Sequence, residues 1–253
     1  MCGIIGLLGR DQVAPRLLDG LARLEYRGYD SAGIAVVNAS GTRVHRAVGK
    51  LAALRSVLGD ATPEGHVGIG HTRWATHGGA TEPNAHPHQV GRVTLVHNGI
   101  IENHATLRAE VVAQGARLAS QTDSEVVAAL LDQLLGRHAS VQGAFVALLG
   151  QLVGAYALAV MVDGHPDMIL VARQGSPLAI GRGTAQADGT TEMAVGSDAL
   201  ALAPFAARVT YLEDGDWGIV RPDDMMLFDL SGADVTRAEV DIPAQTLSTD
   251  KGA

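Results

Sequence analysis

From Gly154 onward the chain is cut into short apolar runs at hairpin spacing: Tyr156–Val162, Met168–Ala172, Leu178–Gly181, Met193–Ser197, Arg208–Leu212, Trp217–Val220 and Met225–Asp229. Asp163-Gly164, Asp188-Gly189 and Asp214-Gly215 punctuate the series, and Asp-Gly supplies the positive φ that tight turns need. This texture favours antiparallel sheets with helices packed on their outer faces over a parallel sheet built from strand-helix-strand units.

The first half adds the helices. Cys2–Gly9 is a short apolar run bounded by glycine and reads as a buried strand. Val13 to Tyr26 places Val13, Leu17, Leu18, Leu21 and Leu24 on one helical face, with Pro15 in its first turn and Gly28 just past its end. Gly33–Asn38, Val67–His71 and Val93–His97 read as strands. A helix is expected after Asn103, through Leu107 and Val111. Another starts at Asp123 with Val126, Val127, Leu130, Leu131 and Leu134 inward, and a short one lies around Asp198–Ala203. Asp241 to Ala253 is polar and aperiodic and reads as a linker or frayed end.

Composition narrows the functional classes. At 47% apolar and 18% charged residues the chain can bury a core and is not disordered. Nineteen Lys and Arg against 27 Asp and Glu give a net charge of −8, which argues against a general nucleic-acid binder. One cysteine excludes an internal disulfide framework and a Cys-rich zinc module. No apolar run reaches the ~18–20 residues of a membrane span, and residues 1–10 do not read as a signal peptide. The expected setting is cytoplasmic, with no membrane and no nucleic-acid partner.

Four places could do chemistry. Removal of Met1 would leave Cys2 with a thiol and a free α-amine on one residue. With reference pKa values of ~8.5 and ~7.7–8.0, that amine can take the thiol proton; the alternative is a small buried hydrophobe. His71 to Gly79 leaves a strand for a Gly-rich polar loop in which Arg73 could clamp a carboxylate, or simply be solvated. Asn98-Gly99 is a strong type I′ turn signal, and also a pair able to point a side-chain NH₂ and a backbone N–H at an oxyanion. Asp123 follows Thr122 and precedes Glu125 at capping-box spacing, so it could serve the helix terminus alone. Six of the ten histidines lie between His71 and His104, yet no His-Glu-x-x-His helix or nearby Cys ligand accompanies them; no metal or cofactor is expected.

Together these pieces resemble the class II glutamine amidotransferases, the N-terminal-nucleophile (Ntn) group, which begin as Met1-Cys2-Gly3-Ile4-Ile5-Gly6 does. Within that family, Arg23 to Gly33, His71 to Gly78, Asn84-Ala85-His86-Pro87-His88, Val96 to Asn103 and Thr122 to Val126 are similar to the glucosamine-6-phosphate-forming branch. Weaker likeness at Gly175 to Leu178 and Gly196 to Asp198 extends it over essentially the whole chain. The resemblance implies an α+β fold, a four-layer αββα sandwich with two antiparallel sheets.

It also implies roles. Cys2 would attack the side-chain amide of glutamine to form a thioester that water releases as glutamate. Asn98 and the Gly99 N–H would hold the oxyanion. Arg73, helped by Thr76 and His77, would bind the substrate carboxylate, and Asp123 its ammonium. Arg27 would sit beside Cys2, Trp74 would lie on a closing loop that gates ammonia, and His86 would belong to the substrate site. In the family, two sugar-isomerase domains follow and use the ammonia to aminate fructose-6-phosphate, in a homo-oligomer. The expected organisation is a glutaminase domain over 1–240 and the start of a linker over 241–253. Rival readings are another amidotransferase glutaminase, a glutamine-sensing module whose Cys2 only packs, and a metal-dependent hydrolase.

Overall fold

The computed structural model describes residues 2–59, 62–76 and 78–242. Its elements run β1 (Gly3–Leu8), α1 (Val13–Ala22), β2 (Ser31–Asn38), β3 (Gly41–Val48), α2 (Leu51–Leu58), β4 (Val67–Arg73), β5 (His88–Val90), β6 (Val93–Ile101) and α3 (His104–Ala113). They continue with α4 (Asp123–Leu135), α5 (Val141–Leu149), β7 (Gly154–Val162), β8 (Ile169–Gln174), β9 (Ala179–Arg182) and β10 (Met193–Gly196). Last come α6 (Ala199–Leu202), β11 (Arg208–Tyr211), β12 (Trp217–Arg221), β13 (Asp224–Phe228) and β14 (Glu239–Asp241).

Among the described residues the strands form an eight-stranded sheet, β14-β11-β9-β10-β1-β4-β2-β3, and a six-stranded sheet, β13-β12-β8-β7-β6-β5. The strand pairs are antiparallel throughout, as the loop lengths implied.

Side-chain parity sorts the core into three layers. Ile5 and Leu7 of β1 and Ile34 and Val36 of β2 face α1, α2 and α6. Leu158, Val160 and Val162 of β7 and Leu170 of β8 face α4 and α5. The opposite faces meet between the sheets: Ile4, Leu8, Ala35, Val37, Val67 and Ile69 pack on Val96, Ala157, Ala159, Met161, Ile169 and Val171. The result is helices, sheet, sheet, helices, the four-layer sandwich the resemblance implied. Sheets covered on both faces explain why the strands read as continuous apolar runs rather than alternating ones.

Three expectations need correcting. The first helix ends at Ala22, not Tyr26. Bonds from Leu24 N–H to Leu21 O, Arg27 N–H to Leu24 O and Gly28 N–H to Glu25 O tighten the chain into a 3₁₀ turn over Glu25–Arg27. That turn carries Tyr26 and Arg27 across to Asp198, which the Tyr26 hydroxyl reaches at 2.8 Å. Asn98-Gly99 is no turn: β6 runs straight through it, with Asn98 opposite Ala157 and Gly99 opposite Tyr156. Asp241, expected in the polar tail, closes β14 against β11, and the Ile242 N–H still bonds to Ala207 O. The rest of the tail, 243–253, lies outside the described residues.

Candidate active site

Parity also builds the site. Along β4 the residues facing the other sheet are Val67, Ile69, His71 and Arg73, so the apolar layer turns polar at one end. Gly3 pairs with Thr72 and Ile4 with His71, which seats Cys2, just before β1, beside Arg73 and Trp74. From the facing sheet, Val96 and Asn98 of β6 point into the same layer.

The β6 backbone supplies the second wall. Strand β5 covers only Val93–Leu95 of β6, and among the described residues no strand pairs with the edge beyond it. On that edge the His97 carbonyl accepts from His71 Nε2 at 3.1 Å and the Ile101 N–H donates to Asp123 Oδ2 at 2.8 Å. By the two-residue period of a strand, Gly99 turns its N–H and C=O the same way. Gly99 has φ +125°, and a Cβ there would lie 2.0 Å from the Ala155 carbonyl, so only glycine fits.

The third wall is the start of α4. Thr122 caps it by accepting from the Glu125 N–H at 3.2 Å, as the capping-box spacing predicted. The Glu125 carboxylate turns instead to the Ala119 and Ser120 N–H groups, at 2.8 and 2.6 Å. Asp123, 5% exposed, accepts from the Ser124 N–H at 2.9 Å through its other oxygen.

These walls enclose one cavity of about 300 Å³. Nine of the ten residues expected at the site line it: Cys2, Arg27, Arg73, Trp74, Thr76, His86, Asn98, Gly99 and Asp123. The tenth, His77, lies outside the described residues. The Trp74 N–H donates to Cys2 Sγ at 3.3 Å, Sγ lies 3.6 Å from the Trp74 carbonyl, and Asn98 Nδ2 lies 3.3 Å from the Cys2 carbonyl. Arg27 reaches the same carbonyl at 3.5 Å and pairs with Asp198. Arg73, 4% exposed, donates to the Gly78 and Gly79 carbonyls at 3.3 and 3.2 Å, which holds the loop beyond it against the cavity. Trp74 is 53% exposed at the mouth, its ring beside Gly28, where the positive φ of +71° and the close ring favour glycine.

Burial dominates the electrostatics. It pushes the Cys2 thiol up, against the opposing Trp74 hydrogen bond and Arg73 charge. Burial also drives His71 and His88 down to about 3, His86 well below its ordinary value and His97 down, so these imidazoles are neutral near pH 7. The histidine cluster is thus a stack of uncharged rings: His71 on His86 with centroids 4.2 Å apart, and His86 edge-on to His88 at 4.6 Å. Among the described residues no group of three or more His, Cys, Asp or Glu is arranged to hold a metal.

The residue-by-residue reading missed several contributors. Ser176 and Pro177, on the β8–β9 loop, also line the cavity, and only their block of weaker likeness hinted at them. His97, Thr122 and Ser124 line it as well, with Ser124 Oγ 2.9 Å from His97 Nδ1. Asp198 anchors Arg27 from α6, a contact visible only once β10 lies beside β1.

The family described as "Glutamine amidotransferase domain" matches residues 71–203. The glutamine–fructose-6-phosphate aminotransferase [isomerizing] of Caulobacter vibrioides is 51% identical over 252 residues, covering 100% of this chain and 41% of the relative. That of Mesorhizobium japonicum is 50% identical over 100% of this chain and 40% of its own length. The chain therefore spans about two fifths of the length of the curated relatives it matches. Among solved structures, the glutamine phosphoribosylpyrophosphate amidotransferase of B. subtilis superposes with a TM-score of 0.76 at 26% identity, over 92% of this chain and 50% of that one. A glutamine aminotransferase class-II domain protein from Silicibacter pomeroyi shares the fold at 15% identity, with a TM-score of 0.60 over 90% of this chain and 99% of that one.

Proposed function

This chain belongs to the glutamine amidotransferase domain family, and on that premise we propose that it hydrolyses L-glutamine to glutamate and ammonia with Cys2 as nucleophile. The observation that carries the proposal is convergence: a thiol, an amide donor, a buried cation and a buried anion from four separate elements line one cavity. Glutamine needs that set. Its α-carbon bears two opposite charges, which Arg73 and Asp123 match, and a substrate lacking either charge leaves a buried group unpaired. Thr76 and His77 assist at the carboxylate. Its side-chain amide then lies toward Cys2.

Once Met1 is removed, the Cys2 α-amine takes the thiol proton. Sγ attacks the amide carbon, and the resulting oxyanion is held by Asn98 Nδ2 and the Gly99 N–H. The amine returns the proton to the departing nitrogen, the C–N bond breaks, and ammonia leaves a thioester that water hydrolyses. Arg27 orients the N-terminus, His86 walls the substrate site, and Trp74 closes over the substrate and retains ammonia. No step needs a metal or cofactor. We further propose that the glutaminase unit, expected over 1–240, runs through β14 to Asp241, with a linker beyond it. In a longer cytoplasmic, homo-oligomeric protein its ammonia passes to sugar-isomerase domains that aminate fructose-6-phosphate to glucosamine-6-phosphate.

Mass spectrometry of the purified chain after incubation with a glutamine-mimicking electrophile, paired with a glutaminase assay, tests this. The expected outcome is loss of Met1, labelling on Cys2, and turnover that Cys2→Ala removes while the circular dichroism spectrum is unchanged. Fructose-6-phosphate should not change the rate of residues 1–253 alone. Turnover undiminished in Cys2→Ala, or label elsewhere, overturns the assignment.

A further inference from the structure

We infer that His71 is a positioning residue for this reaction: its Nε2–H fixes which way the Asn98 amide faces. The inference rests on the reading of Asn98 as an oxyanion donor.

His71 Nε2 lies 3.1 Å from the His97 carbonyl and 2.9 Å from Asn98 Oδ1. The carbonyl has no hydrogen to give, so the ring nitrogen must carry the proton and share it between the two oxygens. An amide turned the other way would set its NH₂ against that N–H, donor against donor, in a place no water reaches: His71 is 0% exposed. Asn98 is therefore locked with oxygen toward His71 and NH₂ toward Cys2, whose carbonyl lies 3.3 Å from Nδ2.

The surroundings keep His71 in that form. His86 stacks on the ring at 4.2 Å, and His71 Nδ1 is buried without a hydrogen-bond partner, as suits the nitrogen that bears no proton. Burial and the charge of Arg73, two residues along the same face of β4, disfavour the imidazolium, so the orientation holds across the neutral range. The residue sits opposite Ile4, two residues along the strand from the nucleophile, and contributes no group to the cavity surface itself. Its effect passes entirely through Asn98.

Steady-state glutaminase kinetics on His71→Leu, His71→Gln, Asn98→Ala and His71→Leu/Asn98→Ala decide the matter. His71→Leu keeps the bulk and removes the donor. It should lower kcat by about tenfold or more, within the ~10²–10³ an oxyanion donor contributes, and leave KM within about twofold. His71→Gln, which restores an N–H near the Nε2 position, should recover most of kcat. In the Asn98→Ala background, His71→Leu should cost nothing further. If Asn98→Ala itself leaves kcat unchanged, the oxyanion reading fails and this inference with it. If Asn98→Ala lowers kcat but His71→Leu costs the same in both backgrounds, the inference alone is overturned. Nitrogen-15 imidazole spectra of the unmodified protein need no variant: an Nε2-protonated His71 that does not titrate above pH 5 supports the inference, and an Nδ1-protonated ring overturns it.

Discussion

The layer between the two sheets has two ends built on the same strands, and they differ in almost everything else. At one end Leu8, Val37, Val67, Met161 and Ile169 close a dry contact. At the other, on the same faces of β1, β4 and β6, stand the half-buried Cys2 and the buried polar groups His71, Arg73 and Asn98, held by hydrogen bonds. Burying a charge or an amide costs free energy that pairing recovers only in part. The apolar end contributes the burial that tolerates this. Four alternate residues of β4, Val67, Ile69, His71 and Arg73, pass from one chemistry to the other within a single strand. If the proposed roles hold, stability and catalysis are separable by position along a strand, not by domain or by loop.

Reciprocal truncations are the strongest way to break that comparison. Arg73→Ala should raise KM for glutamine by an amount corresponding to about 2–5 kcal/mol, as for truncating one partner of a buried charge pair, with little change in the urea midpoint. Ile69→Ala, 0% exposed in the dry half, should cost about 2–5 kcal/mol of stability and leave kcat and KM near their starting values. Equal movement of both readouts by either change would show that the ends are not separate.

Acid should act next most strongly, and on the polar end. His71 and His88 have folded values near 3 against an unfolded value of ~6.5. Below pH 6.5 the unfolded chain binds protons that the native state refuses. Stability is therefore full above that pH and falls as pH drops from 6.5 toward 3, by roughly 2 kcal/mol per histidine at pH 5. Urea titrations at pH 7.5, 6 and 5 measure it, and His88→Gln should flatten the slope. A midpoint constant down to pH 5 contradicts the neutral-ring stack.

The smallest expected effect sharpens the boundary. Thr122 caps α4, and its hydroxyl also lies 2.9 Å from His88 Nε2. Thr122→Ala should cost ~0.5–2 kcal/mol in the urea midpoint and shift KM, since Asp123 sits in the same turn, more than kcat. A change in kcat alone would place Thr122 with the reacting groups instead of the scaffold.

Much of the fold was legible because its signals are local. Cap spacing located α4, apolar period located α3, and Asp163-Gly164 and Asp188-Gly189 marked hairpins, whereas Asp214-Gly215 turns the chain from β11 in one sheet to β12 in the other. β3 escaped notice because it is an edge strand, half-exposed along most of its length, so no apolar pattern marks it. α5 and α2 escaped although each carried a signal: Ser140 accepts from the Gly143 N–H at 3.0 Å, and Leu51, Leu54 and Leu58 share a face. At the site, Cys2, Arg73, Asn98, Gly99 and Asp123 stood out by residue type and local context, and the contiguous blocks of the family resemblance implied their roles. His71 and Asp198 act across 27 and 171 residues of chain and leave no mark on their neighbours.

The sequence by itself determined the type of most elements, the antiparallel habit and the residue types able to attack an amide. That Asn98-Gly99 forms no turn was decided by tertiary structure. A dipeptide that locally favours a turn is drawn straight by its nine-residue pairing with β7, because each backbone group that turned away would lose a buried ladder bond. Once β6 is straight, its two-residue period sends the Asn98 side chain toward His71 and Cys2 and leaves the Gly99 backbone on the open edge facing the cavity. Local propensity acts through neighbours in the chain, whereas the site depends on hydrogen bonds between strands from opposite sheets, and only packing brings those together.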